Sequence, residues 1–215
     1  YDLVEGPGGG ERVDYNASIL FSPSGERVET YHKIRLVPFT ERFPWKEELP
    51  GLYRLLESFD VHLWEPGSRR VVFRIPGADF STPICFEDAF PGEVRAFVRE
   101  GAAIIVNLSN DYWSLTEVEA MQHAANAVFR AVENGRPLVR ATASGLTCVV
   151  DPAGRTVARA PLYEEAVIVA DVAPVVGSTT LFTRWGDWFP PAMAALLVLV
   201  AAAGIIGRVR PARGR

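Results

Sequence analysis

Residues 102–142 read AAIIVNLSNDYWSLTEVEAMQHAANAVFRAVENGRPLVRAT. Ala102–Leu108 is almost wholly apolar, the pattern of a strand buried on both faces. Glu117–Asn134 then carries helical spacing, closed by Gly135 and Pro137. Leu138–Thr142 starts a second apolar strand. Upstream, Gly92–Glu100 reads as a helix. Val71–Ile75 and Phe80–Cys85 read as a strand pair about Pro76–Gly77. Trp45–Phe59 has helical spacing at Leu49, Leu52, Leu55, Leu56 and Phe59. Ala17–Phe21 and Thr30–Val37 read as strands joined by a turn at Ser22–Gly25. Downstream, Leu146–Val150 follows a break at Ser144-Gly145, and Val167–Val172 reads as a last strand. Strand pairs mixed with helices predict an α/β fold, a layered sandwich rather than a pure parallel sheet.

The composition agrees. The chain has 215 residues, 48% hydrophobic and 22% charged, enough to bury a full core. A net charge of −4 argues against a nucleic-acid binder. Two cysteines are too few for a disulfide scaffold or a thiolate zinc site. No Gly-rich phosphate loop, HExxH or paired CxxC is present, so neither cofactor nor metal is expected.

One stretch departs from this average. Trp188–Gly207, WFPPAMAALLVLVAAAGIIG, holds no charged residue and runs into Arg208, Arg210, Arg213 and Arg215. A hydrocarbon core takes about 20 apolar residues as helix. Pro190 and Pro191 sit in the first turn, where missing donors cost little. Trp185 and Trp188 stand where an interfacial aromatic belt belongs. The expectation is a transmembrane helix over 188–207 with a basic cytoplasmic tail, 208–215. Residues 1–187 then lie on the far side of the membrane. The competing reading is a buried C-terminal helix.

The chemistry centres on Cys85, expected to end a strand and to be followed by Phe86-Glu87-Asp88 and a helix. A strand-to-helix turn exposes a side chain at a sheet end and offers N–H groups to an oxyanion. A thiolate there is a competent nucleophile; a buried structural cysteine is the plainer reading. Cys148, inside Leu146-Thr147-Cys148-Val149-Val150, fits that plainer reading. On a strand, Tyr31, Lys33 and Arg35 share one face. Lys33 is either solvated or aimed into a cleft as a cation for the oxyanion, with Glu41 placed to hold it. Glu87 either orients the site or is a solvated carboxylate at a helix start. His32 and His123 show no partner in the sequence and are read as structural.

Taken together and in order, these segments resemble the nitrilase (carbon–nitrogen hydrolase) superfamily. The resemblance rests on Tyr31-His32-Lys33, Leu36-Val37-Pro38-Phe39-Thr40-Glu41 and Pro83-Ile84-Cys85-Phe86-Glu87. It extends over Asn107-Leu108-Ser109-Asn110-Asp111-Tyr112-Trp113 and Glu133-Asn134-Gly135-Arg136-Pro137. Thr183-Arg184-Trp185-Gly186-Asp187-Trp188, running into the apolar stretch, is similar to the membrane-anchored lipoprotein N-acyltransferase branch. The resemblance implies an αββα sandwich and a Glu-Lys-Cys catalytic set. It makes Cys85 the nucleophile and Lys33 the oxyanion-stabilising cation, with Glu41, Glu87 and Trp113 in support. It implies a phospholipid acyl donor, a thioester on the cysteine, and transfer to the α-amino group of a lipoprotein's lipidated N-terminal cysteine. It also implies a bacterial inner-membrane location with the catalytic domain facing the periplasm.

The sequence departs from the family at several points. Phe86 stands where Tyr is common, Ser114 where Phe is common, and Ala143-Ser144-Gly145 replaces an Asn-rich turn. The family's general-base glutamate lies in a segment N-terminal to everything here, so residues 1–187 are expected to be a catalytic domain lacking its N-terminal part. Two rival readings stay open, a membrane-anchored amidase with water as acceptor and an inactive tethered fragment.

Overall fold

A computed structural model describes residues 2–5, 12–58, 63–114 and 116–209. The frame is a six-stranded sheet in the order β10-β9-β8-β7-β6-β5. Its strands are β5 (Val72–Ile75), β6 (Ala78–Ser81), β7 (Ile104–Ser109), β8 (Leu138–Thr142), β9 (Cys148–Val150) and β10 (Thr156–Arg159). β6, β7 and β8 run parallel, and the outer pairings are antiparallel. Parallel neighbours need crossover connections. These are the helices α2 (Pro91–Arg99) and α3 (Glu117–Asn134). Two hairpins accompany the sheet, β1 (Asp2–Glu5) with β2 (Arg12–Tyr15) and β3 (Ala17–Phe21) with β4 (Arg27–His32).

The boundaries have local causes. The α3 start is fixed by the Thr116 side chain, which accepts from the Glu119 N–H. Its end is fixed by Gly135 at φ +59°, the left-handed conformation in which glycine carries no steric cost. Helix α1 is shorter than its periodicity suggests, Pro50–Glu57. Pro50 occupies the first turn, where a missing N–H is harmless, and Phe59 lies outside the described residues.

The core has two centres. In one, Val94 and Val98 of α2 and Ala124, Ala127 and Ala131 of α3 pack on Ile105, Leu138, Cys148 and Val150 of the sheet. The small alanines let α3 lie close to the strands. In the other, Tyr31 of β4 joins Val71, Phe73, Ile84, Phe97 and Ala102, with its ring edge-on to Phe97 at 5.3 Å between centroids.

Three expectations are corrected. β4 stops at His32 rather than Val37, because the Glu87 carboxylate takes the N–H groups of Ile34 and Arg35 that a longer ladder would need. Cys85 does not end a strand: β6 ends at Ser81, and Cys85 opens a 3₁₀ turn, Cys85–Ala89. Val167–Val172 forms no strand. Val167 and Val169 are 90% and 93% exposed, so no apolar face holds that segment to a partner. β2, β10 and the short helix α4 (Leu181–Trp185) went unread.

The C-terminal apolar run forms a helix, α5 (Phe189–Val209), with Leu196–Val200 all more than half exposed. A helix apolar on all sides normally sits inside a core or a bilayer. Among the described residues, no helix is long and apolar enough to cross a membrane. The tail from Arg210 onward lies outside the described residues.

Candidate active site

The turn that carries Cys85 is strained. Its φ is +50°, in the left-handed region that side chains other than glycine rarely occupy. Three contacts around it hold the turn. Ile84 bridges to Leu108 of β7 just before the cysteine. The Glu87 carboxylate reaches back to accept the Ile84 N–H at 2.8 Å. The Asn107 side-chain amide donates to the carbonyl of Cys85 at 3.3 Å and to that of Pro83 at 3.1 Å.

Glu87 also reaches across to the β4 hairpin. Its Oε1 accepts the Tyr31 hydroxyl at 2.7 Å and the N–H groups of Ile34 and Arg35 at 2.8 and 3.0 Å. The carboxylate is almost fully buried. Burial pushes its pKa up, and the four donors pull against that shift. Tyr31 titrates far above its ordinary range, first because it is buried and then because it faces this anion. Glu87 is therefore a clasp between the Cys85 turn and the segment carrying Lys33, rather than a solvated helix-start carboxylate.

Lys33 is fully buried and points at Glu41, with Nζ 2.8 Å from Oε1 and 2.7 Å from Oε2. Glu41 also accepts the Val37 N–H at 2.8 Å and the Asn16 amide at 3.1 Å. All of its acceptor positions are used, so it serves to orient the ammonium.

Beneath Cys85 lies a second buried cluster, which reading the residues singly does not reveal. Arg140 of β8, with no exposed surface, donates to Asp88 at 2.7 Å, Asn107 at 2.6 Å and Asp111 at 2.9 Å. His123 of α3 lies between the same carboxylates, with Nδ1 2.8 Å from Asp111 and Nε2 3.0 Å from Asp88. Burial works against charging this imidazole, but the two carboxylates outweigh it and raise its pKa to about 10. Burial likewise opposes the Asp111 anion, yet His123 and Ser109 hold its pKa down to about 2. Two anions thus face two cations, the balance a buried ionic cluster needs. With both nitrogens donating, His123 has no lone pair for a proton and cannot be a base. Its partners come from distant segments, which is why the sequence showed none. Gly145 is required here, since a Cβ at that position would stand 1.9 Å from Asp111 Oδ2.

A cavity of about 810 Å³ opens over Cys85. It brings Cys85, Glu41 and His123 to one wall system with Val37, Trp64, Ile84, Phe86 and Leu108. Mostly apolar cavities of this size suit small organic ligands or single chains. The Trp113 side chain lies outside the described residues. Cys85 Sγ, an Asp111 oxygen and a His123 nitrogen lie within 4.8 Å of one another, near enough to share a metal ion. The imidazole and the carboxylate are already committed to ionic hydrogen bonds, which a metal would have to break. Cys148 sits in the core centre between the sheet and helices α2 and α3, where burial pushes its thiol pKa up.

Comparison with known proteins gives this arrangement a context. Residues 4–180 match the model of the carbon–nitrogen hydrolase family. "Apolipoprotein N-acyltransferase 1" of Treponema pallidum is 44% identical over 213 residues, covering 96% of this chain and 39% of that protein. "Apolipoprotein N-acyltransferase" of Chlorobaculum tepidum is 38% identical over 203 residues, covering 90% of this chain and 38% of that protein. The chain thus spans about two-fifths of the length of these curated relatives. Among solved structures, a carbon–nitrogen hydrolase from Helicobacter pylori G27 matches with a TM-score of 0.54 at 19% identity, covering 71% of this chain and 55% of that one. An amidase from Nesterenkonia sp. matches with a TM-score of 0.53 at 24% identity, covering 75% and 56%. These likenesses show the fold.

Proposed function

The chain belongs to the carbon–nitrogen hydrolase family, and on that premise we propose that it is the catalytic part of an apolipoprotein N-acyltransferase. The acyltransferase reading, rather than the amidase one, is supported by relatives of that name at 38–44% identity over most of this chain. The observation that carries the chemistry is the strained Cys85 turn at the floor of a mostly apolar cavity.

In this reading the Cys85 thiolate attacks the ester carbonyl of a phospholipid, a carbon–sulfur bond forms, the carbon–oxygen bond breaks, and the alcohol leaves with the proton that the cysteine gave up. The thioester then passes its acyl group to the α-amino group of a lipoprotein's lipidated N-terminal cysteine. Dividing the transfer this way spares the amine from attacking an unreactive ester. Lys33, oriented by Glu41, supplies positive charge to the oxyanion. Glu87 and the Arg140–Asn107 chain position the nucleophile. Glu41 and Glu87 are both held by four donor contacts, so the reading gives the cysteine's proton to a different glutamate of the complete enzyme.

The site belongs at a membrane. Residues 1–187 form part of an αββα catalytic domain facing the periplasm, 188–207 cross the bacterial inner membrane, and the basic 208–215 stay in the cytoplasm. The support is the uncharged run ending in arginines and the exposed apolar side chains of α5. A reporter fused after Arg215 should work only in the cytoplasm; activity outside it overturns this orientation.

The test of the chemistry is acyl transfer from phospholipid to a lipopeptide by the full-length protein. Lys33→Ala should slow thioester formation about 10²-fold or more, the scale of a lost oxyanion contact. A rate within about twofold of wild type removes Lys33 from the reaction.

A further inference from the structure

One carboxylate at this cavity is held only by a long ion pair with His123. Glu119 of α3 lines the same space as Cys85. Its Oε2 is buried and, among the described residues, has no hydrogen-bond partner. Its Oε1 stands 3.9 Å from His123 Nδ1, beyond hydrogen-bond reach. Glu41, the other carboxylate lining the cavity, accepts from Lys33, Val37 and Asn16 and has nothing to offer a ligand.

The surroundings of Glu119 suit a polar ligand. Glu119, Gln122 and Asn126 are spaced three and four residues apart, so they share one face of α3, and all three line the cavity. Ile84, Phe86 and Leu108 form apolar wall of the same cavity. The space therefore has an apolar side and a polar side. A buried carboxylate oxygen without a donor is costly, and a protonated amine would satisfy it with a charge-assisted hydrogen bond.

We propose that Glu119, with Gln122 and Asn126, forms the subsite for the amine acceptor, binding its ammonium group and taking its proton. This rests on the acyltransferase reading above. The ammonium gives one proton to the Glu119 carboxylate and becomes a free amine. Its nitrogen attacks the thioester carbonyl, the carbon–nitrogen bond forms and the carbon–sulfur bond breaks. The second nitrogen proton goes to the departing Cys85 thiolate, restoring the thiol, and Glu119 releases its proton to water. The apolar side is left for the acyl chain.

The two half-reactions separate this from a general effect on the site. In the full-length protein, Cys85 acylation by phospholipid is followed by mass spectrometry. Discharge of the acyl-enzyme is then followed with a diacylated lipopeptide bearing a free α-amine, and separately with hydroxylamine. Glu119→Gln should lower discharge to the lipopeptide about tenfold or more beyond any change in acylation, the scale of one charge-assisted contact. Discharge to hydroxylamine, which carries no ammonium at neutral pH, should fall much less. Glu119→Asp should recover part of the lipopeptide rate. Equal loss with both acceptors, or a loss confined to acylation, overturns the acceptor subsite while leaving the acyl-enzyme intact as a reading. Failure of the wild-type protein to acquire an acyl group overturns the proposed function itself.

Discussion

Glu87 and Asp88 are adjacent, both almost fully buried, and they hold opposite sides of Cys85 by different physics. Glu87 faces the hairpin and is met by backbone N–H groups and one hydroxyl, with no cation bonded to it among the described residues. Asp88 faces α3 and β8 and is met by Arg140 and His123. The first contact has no countercharge, so it rests on backbone geometry and fails when the backbone moves. The second depends on charge balance, so it should respond to titration and to loss of either cation. A nucleophile held at φ +50° needs both sides fixed, and the chain fixes them with consecutive residues.

The largest expected break in this comparison is Arg140→Ala. It removes the donor shared by Asp88, Asp111 and Asn107 and leaves buried charge uncompensated, a cost of about 3–5 kcal/mol. Urea unfolding of the full-length protein should show that loss. A change under about 1 kcal/mol would mean the cluster is far more hydrated than its burial implies.

Titration should sharpen the contrast. The His123 pKa is raised from 6.5 to about 10, so its contribution to stability is complete below about 6.5 and fades as pH rises towards 10. The Asp111 pKa is lowered from 3.8 to about 2, so its contribution is complete above about 3.8 and fades as pH falls through 2. Denaturant midpoints should therefore hold level between these limits and drop on either side. His123→Gln should flatten the alkaline fall. An unchanged alkaline slope would assign that slope to another group.

The smallest effect belongs to the hairpin side. Tyr31→Phe removes one of the four donors to Glu87 and should cost about 1.5–3 kcal/mol, the scale of a hydrogen bond to a charged group. Its cost should not follow the His123 titration, whereas that of His123→Gln should shrink as pH rises from about 6.5 towards 10. Parallel pH dependence in both variants would erase the distinction between the two sides.

The sequence was most legible where local signals agreed. Residues 117–134 announced a helix by spacing, cap and terminating glycine, and the helix spans those residues. Ala17–Phe21 and Leu138–Thr142 also form as read. Legibility failed where a distant side chain overrode the local pattern. Nothing near Ile34 shows that Glu87 will claim its N–H and end the strand. The same holds for His123, whose partners lie 12 and 35 residues away. The pairing of Lys33 with Glu41 was anticipated because both residues belong to one short segment. The Arg140 cluster was not, although a cation in an apolar strand facing Asp88 and Asp111 was a signal in retrospect. Glu119 was missed because a glutamate in the first turn of a helix is unremarkable.

The central claim is that Cys85, and not Cys148, carries the acyl group. The direct measurement is peptide mass spectrometry of the full-length protein after incubation with phospholipid, for wild type, Cys85→Ala and Cys148→Ala. One acyl adduct should appear on the peptide containing Cys85, vanish in Cys85→Ala and persist in Cys148→Ala. An adduct retained by Cys85→Ala, or found on Cys148, would contradict the account.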